Sequence, residues 1–303
     1  AVRLGPSDAN AAWALALILR RQGEWDESTA LMKRAAQLDP RNSLRLETLA
    51  ENLMWSGAFE DANRVTERSL TIDPGSARTR SRKAELVIEL DGETRRASGL
   101  AGELALDSTS FEEGVALDVI ARYERDYPRV VRLADALAPL EGNLILELRL
   151  IRKGMALARL GESVDSVVDT LLSVEGEGST TELGHPSLHG YAQALAGRRD
   201  DALPLLREGE RGVRAAEDHV LSSRWLKHTI AGYGLVGALD AGLDLLDEFV
   251  ERPHQALSAT ALRLDPQFDP YRDNPRFEAI IERRARFEAE SARKAAAGRP
   301  WVP

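Results

Sequence analysis

Residues 13–40 read WALALILRRQGEWDESTALMKRAAQLDP, and their spacing decides the fold. Apolar side chains recur at three- and four-residue intervals. Ala12, Leu15, Ala16 and Leu19 share one helical face, and Leu31, Met32, Ala35 and Leu38 share another. Gly23 stands between the two runs, where a left-handed backbone closes a helix without a Cβ clash. Ser28 follows five residues later, at a place where a bulky side chain would hold two packed helices apart. Pro40 marks the stop of the second run. One unit is thus helix, glycine turn, helix, proline turn.

The unit recurs. Pro40 follows Pro6 by 34 residues, and Pro74 follows Pro40 by 34. The same step lands on Ser108, Gly142 and Gly176, all residues that suit a turn. The glycine and its small partner return as Gly57 and Ala62, Gly92 and Ala97, Gly161 and Ser166, Gly197 and Ala202, Gly237 and Gly242. A fixed period of this length is the mark of a repeat architecture, in which each unit buries its apolar face only against its neighbours.

These residues resemble the tetratricopeptide repeat. The first unit matches that family at Ala16, Gly23, Trp25, Ser28, Ala35 and Pro40. The stretch LETLAENLMWSGAFEDANRVTERSLTIDP (46–74) matches again through Ala50, Gly57, Phe59, Ala62 and Pro74. The third unit keeps the phase and loses the proline. The later units are longer, with 36 residues from Gly161 to Gly197 and 40 from Gly197 to Gly237. The stretch 109–142 reads as a helix pair from VALDVIARY and VVRLADALAPL rather than from the motif. The resemblance implies an all-α, right-handed superhelix of about seven antiparallel helix pairs. We expect regular repeats over 1–108, degenerate pairs over 109–253, and a proline-rich connection with a C-terminal helix over 254–303. In LRLDPQFDPYRDNPRFEAIIERR (262–284) a helix is expected from about Pro275, with Phe277, Ile280 and Ile281 capping the last exposed face. That phrase resembles the ending of bacterial signalling proteins that carry a kinase, a nucleotide cyclase or a winged-helix domain upstream. The final ESARKAAAGRPWVP is polar, and Trp301 is read as either docked or free.

Composition narrows the function. The 303 residues carry a formal net charge of −9 and include no cysteine. An acidic surface disfavours nucleic acid, and the absence of thiols removes disulfides, thiolate nucleophiles and Cys-type zinc sites. A reducing cytoplasm is the simplest location; a periplasmic one stays open. The longest apolar run, TIAGYGLVGAL, is about half of what a membrane span needs. His185 and His189 are four residues apart with Glu182 nearby, a spacing that a metal would use on a helix face, but no further ligand stands close and an ordinary helix start beginning at Pro186 is the preferred reading. No nucleophile elbow, P-loop or dinucleotide fingerprint occurs, and EGEGSTTELG reads as a linker between repeats. We therefore expect no catalytic residue, no cofactor and no metal, and a chain that is not an enzyme.

The resemblance places the first helix of each unit along a concave trough. By repeat phase, Trp13, Leu17, Arg20 and Arg21 would line it from the first unit, and Glu47, Glu51, Met54 and Trp55 from the second. Arg78, Ser81, Arg82, Glu85 and Glu89 would follow from the third. Trp13 and Trp55 read equally well as packing between neighbouring units. Family members that clamp acidic chaperone tails use basic and amide residues in the first repeat. Here those positions are Trp13 and Leu17, and only Arg78 and Arg82 fit, so that role is disfavoured. The basic run RTRSRK (78–83) reads either as a site for an acidic peptide or as a solvated face balanced by Glu85 and Glu89.

The expected function is a protein-interaction scaffold whose partner is a protein or peptide. The alternatives are a small-ligand sensor with a pocket in the longer, later repeats, or the non-catalytic region of an enzyme. Self-association is left open. By phase, Ala1 corresponds to Ala35 of the next unit, late in a second helix. The expectation from this is a fragment of a longer protein with an output domain upstream.

Overall fold

A computed structural model describes residues 7–101, 111–138, 143–173, 185–254 and 257–297. The readings at Ala1, Pro6, Ser108, Gly142, Gly176, Glu182 and Trp301 lie outside the described residues. Within them there are helices and no strands. Seven antiparallel pairs follow one another: α1 (Ala9–Arg21) with α2 (Trp25–Leu38), α3 (Ser43–Trp55) with α4 (Phe59–Ile72), α5 (Ala77–Asp91) with α6 (Thr94–Ala101), and α7 (Phe111–Tyr123) with α8 (Tyr127–Ala136). The series continues with α9 (Asn143–Leu160) and α10 (Asp165–Ser173), α11 (Pro186–Leu195) and α12 (Arg199–Ala215), and α13 (His219–Leu235) and α14 (Leu239–Phe249). The chain ends with α15 (Ala259–Leu264), a 3-10 turn (Pro266–Tyr271) and the long α16 (Pro275–Ala297).

The turn glycines take the backbone that the period demands. Gly23, Gly57, Gly92, Gly161, Gly197 and Gly237 all have φ between 70° and 85°. The α7–α8 turn breaks the pattern in the sequence but not in the structure. Arg125 holds that position with φ 58°, in the left-handed region that side chains disfavour. Of the small residues five positions on, Ser28, Ala62, Ala97 and Ala202 are fully buried. The Ser28 hydroxyl also donates to the Ala16 carbonyl across the pair (2.8 Å). Two expectations fail locally. Ser166 is exposed, and Leu38 is 40% exposed because it sits in the last turn of α2, past the packed face.

The array closes on itself. α13 packs against α1, Arg21 pairs with Asp218, and the His219 ring fills the space beside Gly23. α16 does cap the last pair. Phe277, Ile280 and Ile281 join Leu243, Leu246, Phe268 and Tyr271 in one cluster. It then runs on to the first repeats, packing on α4, with Glu288 against Gly57 and Ala295 against the α1–α4 core. The guanidinium of Arg284, fully buried, fixes this helix by donating to Glu288 and to the carbonyls of Val250 and Arg252.

Candidate functional site

The inner helices α1, α3 and α5 are joined by a ladder of charges. Arg20 pairs with Glu51 (2.8 Å) and lies over the Trp55 ring at 4.6 Å from its centre. Glu51 also takes Arg82 (2.8 Å) and Arg78 (3.3 Å). Burial pushes the Glu51 carboxyl up, but Arg82, Arg20 and Arg78 outweigh it and hold the group below its ordinary pKa. Glu47 accepts from Ser76 (2.8 Å) and Thr79. Most of the RTRSRK run is thus committed within the chain: Arg80 pairs with Glu113 and Lys83 with Glu67 (2.6 Å each), while the Arg78 side chain stays partly exposed.

The residues assigned to the trough divide by position. Glu51, Met54, Trp55, Arg82 and Glu85, with Glu89, line a cavity of about 330 Å³. Arg20, Glu47 and Arg78 stand beside it in the ladder. Leu17 packs against the N-terminal core. Arg21 serves the α1–α13 seam, and Trp13 is half-buried with its indole N–H shut from solvent and unbonded. Ser81 is buried.

The opposite wall of the cavity was not anticipated. It comprises Val119 and Arg122 from α7, Ile151, Arg152 and Met155 from α9, Lys227 and His228 from α13, and Gln267 from the 3-10 turn. Basic residues inside otherwise apolar helices, as in LRLIRKGM and SRWLKHTIAGYG, are the signal that points there. Asp265 sits fully buried behind this wall, accepting from Arg122 (2.6 Å) and Lys227 (2.8 Å). Burial would raise its pKa; Arg122 and Lys227 together hold it well below the carboxylate range. Burial also raises Glu85, against Arg82, and raises Glu89 to about 8, against a hydrogen bond from Ser258.

His254 and residues 257–271 form the floor. The His254 N–H donates to the Trp55 carbonyl (2.8 Å) and the Ser258 hydroxyl to Glu89 (2.9 Å). Arg125 reaches the Leu264 carbonyl (3.2 Å) and Asp269 (2.9 Å), Arg159 reaches the Pro266 carbonyl (2.7 Å), and Gln267 donates to the Tyr191 hydroxyl (3.0 Å). Trp55, Glu89, Arg122 and Arg159 all lie near the C-terminal ends of their helices. The segment therefore crosses that edge of the inner face and leaves the helix starts, with Trp13, Glu47 and Arg78, uncovered by it.

His185, His228 and His254 pack as neutral rings. His185 caps α11, accepts from the Ser187 N–H (3.2 Å) and stacks on Trp225 with ring centres 3.7 Å apart. Burial lowers it to about 4, and His228 and His254 to about 3. Among the described residues, no group of three or more His, Cys, Asp or Glu side chains is placed to hold a metal ion, and no helix is long and apolar enough to cross a membrane.

Paired helices with a left-handed turn residue between them, the turns recurring every 33 to 40 residues, define an α-solenoid of the tetratricopeptide-repeat type. No family model matches the chain, and no curated protein matches it in sequence. Among solved structures the chain is similar to PilW, a widely conserved type IV pilus biogenesis factor, at 16% identity, with 79% of this chain and 91% of that one covered and a TM-score of 0.37. It is also similar to the TPR domain of P58(IPK), at 14% identity over 96% of this chain and 91% of that one, with a TM-score of 0.23.

Proposed function

We propose that this chain is a non-catalytic interaction module that holds an acidic segment of a partner protein against its concave face. The observation that carries this reading is the chain's own segment 257–271. The inner helices already bind an Asp- and Pro-bearing stretch there, folded as α15 and the 3-10 turn, through Arg122, Arg125, Arg159 and Lys227 on its carboxylates and carbonyls. Phe268 and Tyr271 of that stretch are fully buried, so it is a fixed part of the core. A partner uses the strip that it leaves open, at the starts of α1, α3 and α5. Trp13 and the 42%-exposed Arg78 side chain are the contacts proposed there, residue types that often carry binding energy. A place in the cytoplasm rests on the absence of cysteine, and one within a bacterial signalling protein on the resemblance of the tail phrase.

A peptide array of acidic, proline-containing 12-mers probed with the full chain tests this. We expect binding that falls at least about tenfold, a typical hot-spot effect, in Trp13→Ala with Arg78→Ala, while the melting temperature barely moves. No bound peptide, or equal binding by the variant, would overturn the reading.

A second reading, a small-ligand sensor, is favoured by the cavity. Its place is the middle of the concave face, between α3–α9 and α13, rather than between the later repeats.

A further inference from the structure

The charges around the cavity are unevenly matched. Arg152, Arg122 and Lys227 alternate with Asp118 and Asp265 in one run of contacts. Arg152 meets Asp118 at 2.9 Å, Arg122 meets Asp118 at 2.9 Å and Asp265 at 2.6 Å, and Lys227 meets Asp265 at 2.8 Å. Each carboxylate serves two cations through a single oxygen, Oδ2. Three cations thus face two carboxylates. The run is nearly sealed: Asp265, Asp118 and Arg122 are 0%, 2% and 4% exposed. An under-compensated cation out of water is costly, and a bound anion removes that cost.

The neighbouring acids do not supply that anion. Burial raises Glu89 to about 8, so it is uncharged at neutral pH, and Glu85 is already held by Arg82 at 3.0 Å. Burial also lowers the pKa of both Arg152 and Lys227 despite their aspartate neighbours, the direction expected for cations short of partners. Two polar atoms on the wall are shut from solvent and unbonded. They are Glu89 Oε2 and Arg152 Nη1, which touches Asp118 without hydrogen-bond geometry. Apolar side chains line it as well, among them Ile88, Val119, Ile151 and Met155. The volume of about 330 Å³ falls within the range of small-molecule sites, roughly 300–1,000 Å³.

We propose that this cavity binds a small organic monoanion, its carboxylate seated between Arg152 and Lys227 and its apolar body against Ile88, Val119, Ile151 and Met155. This rests on the sensor reading and is independent of the peptide strip. A single missing negative charge selects a monoanion over a dianion. The planar guanidinium fork of Arg152 matches a carboxylate. The protonated Glu89 offers a donor that an ionised acid would lack.

The test is titration calorimetry and thermal melting of the full chain with octanoate and 3-phenylpropanoate, with octanol as the uncharged counterpart and inorganic phosphate as the anion without a body. We expect at least one carboxylate to bind and to raise the melting temperature by mass action. Octanol and phosphate should bind at least about tenfold more weakly, the loss expected when a charge-assisted hydrogen bond or an apolar contact is missing. Arg152→Met should lose the carboxylate yet melt no lower than the wild-type chain, because it removes the surplus cation. Val119→Phe should block binding by filling the space with the charges intact. The proposal is overturned if neither carboxylate binds, if octanol or phosphate binds as well, if either variant binds normally, or if ligand-free Arg152→Met melts well below wild type.

Discussion

The first four helix pairs and the closing segment 257–297 are held by opposite kinds of contact. In the repeats, polar partners lie about one period apart: Arg20 and Glu51, Glu51 and Arg82, Arg80 and Glu113, and Arg45 and Asn10, at sequence separations of 31, 31, 33 and 35. The closing segment reaches across 169 residues from Ser258 to Glu89, 143 from Asp265 to Arg122 and 144 from Asp269 to Arg125. Contacts of the first kind return once per unit and leave a period in the sequence. Each contact of the second kind is made once and leaves none. Regularity builds the wall of this protein, and singular polar bonds decide what fills it.

Removing a singular bond is expected to do the most damage. Asp265→Asn strips the carboxylate from both Arg122 and Lys227. Breaking a buried pair from one side costs about 3–5 kcal/mol. Denaturant unfolding should show that loss, and an unchanged midpoint would mean that the closing segment contributes little to the fold.

Two equivalent glycines sharpen the comparison. Gly57 and Gly92 occupy the same turn in successive units, with φ 83° and 70°. A Cβ on Gly92 meets nothing within 4 Å, whereas one on Gly57 falls 3.1 Å from the Glu288 Cα and 2.8 Å from its Cγ. Gly92→Ala should cost about 1–2 kcal/mol of left-handed strain. Gly57→Ala adds displacement of α16 and should cost about 2–5 kcal/mol. Equal melting temperatures would show that α16 does not sit on that turn in solution.

The smallest effect belongs to Glu89, where the two regions meet. Its folded pKa, about 8, stands above its ordinary 4.5, so the folded chain holds the proton more tightly than the unfolded one. Its contribution to stability is therefore whole below about pH 4.5 and is lost as the pH rises toward 8. Glu85, Glu288, Arg284 and Ser258 face it, and Glu85 shifts in the same direction. Between pH 6 and 8.5 the wild-type melting temperature should fall by a few degrees more than that of Glu89→Gln. Parallel curves would place a charged carboxylate there.

The same contrast explains what the sequence disclosed. The helix pairs were legible because each glycine turn restates the last. The α7–α8 turn was hard to see because Arg125 replaces glycine, and the structure gives the reason for the exchange: that side chain is needed at Leu264 and Asp269. Part of the candidate site followed from repeat phase, since Glu51, Met54, Trp55, Arg82, Glu85 and Glu89 occupy inner positions of regular units. Arg152, Lys227 and Asp265 did not, because they come from the longer, later units and the closing segment, where the motif assigns no inner position. Trp55 was readable both as a lining residue and as packing, and it is both. It lines the cavity while its ring meets Trp25 edge-on at 6.3 Å.

The return of α13 to α1 has a consequence for how the molecule comes apart. A linear array frays, because its terminal units have one neighbour each and open before the middle. Here the first unit leans on α13, and the last helix leans on the second unit. Neither end is an end in the energetic sense. Amide hydrogens in α1 and in the first half of α16 should therefore exchange only when the whole ring opens, at the same rate as those of the central helices. A chain that unzips from a terminus would show a gradient instead.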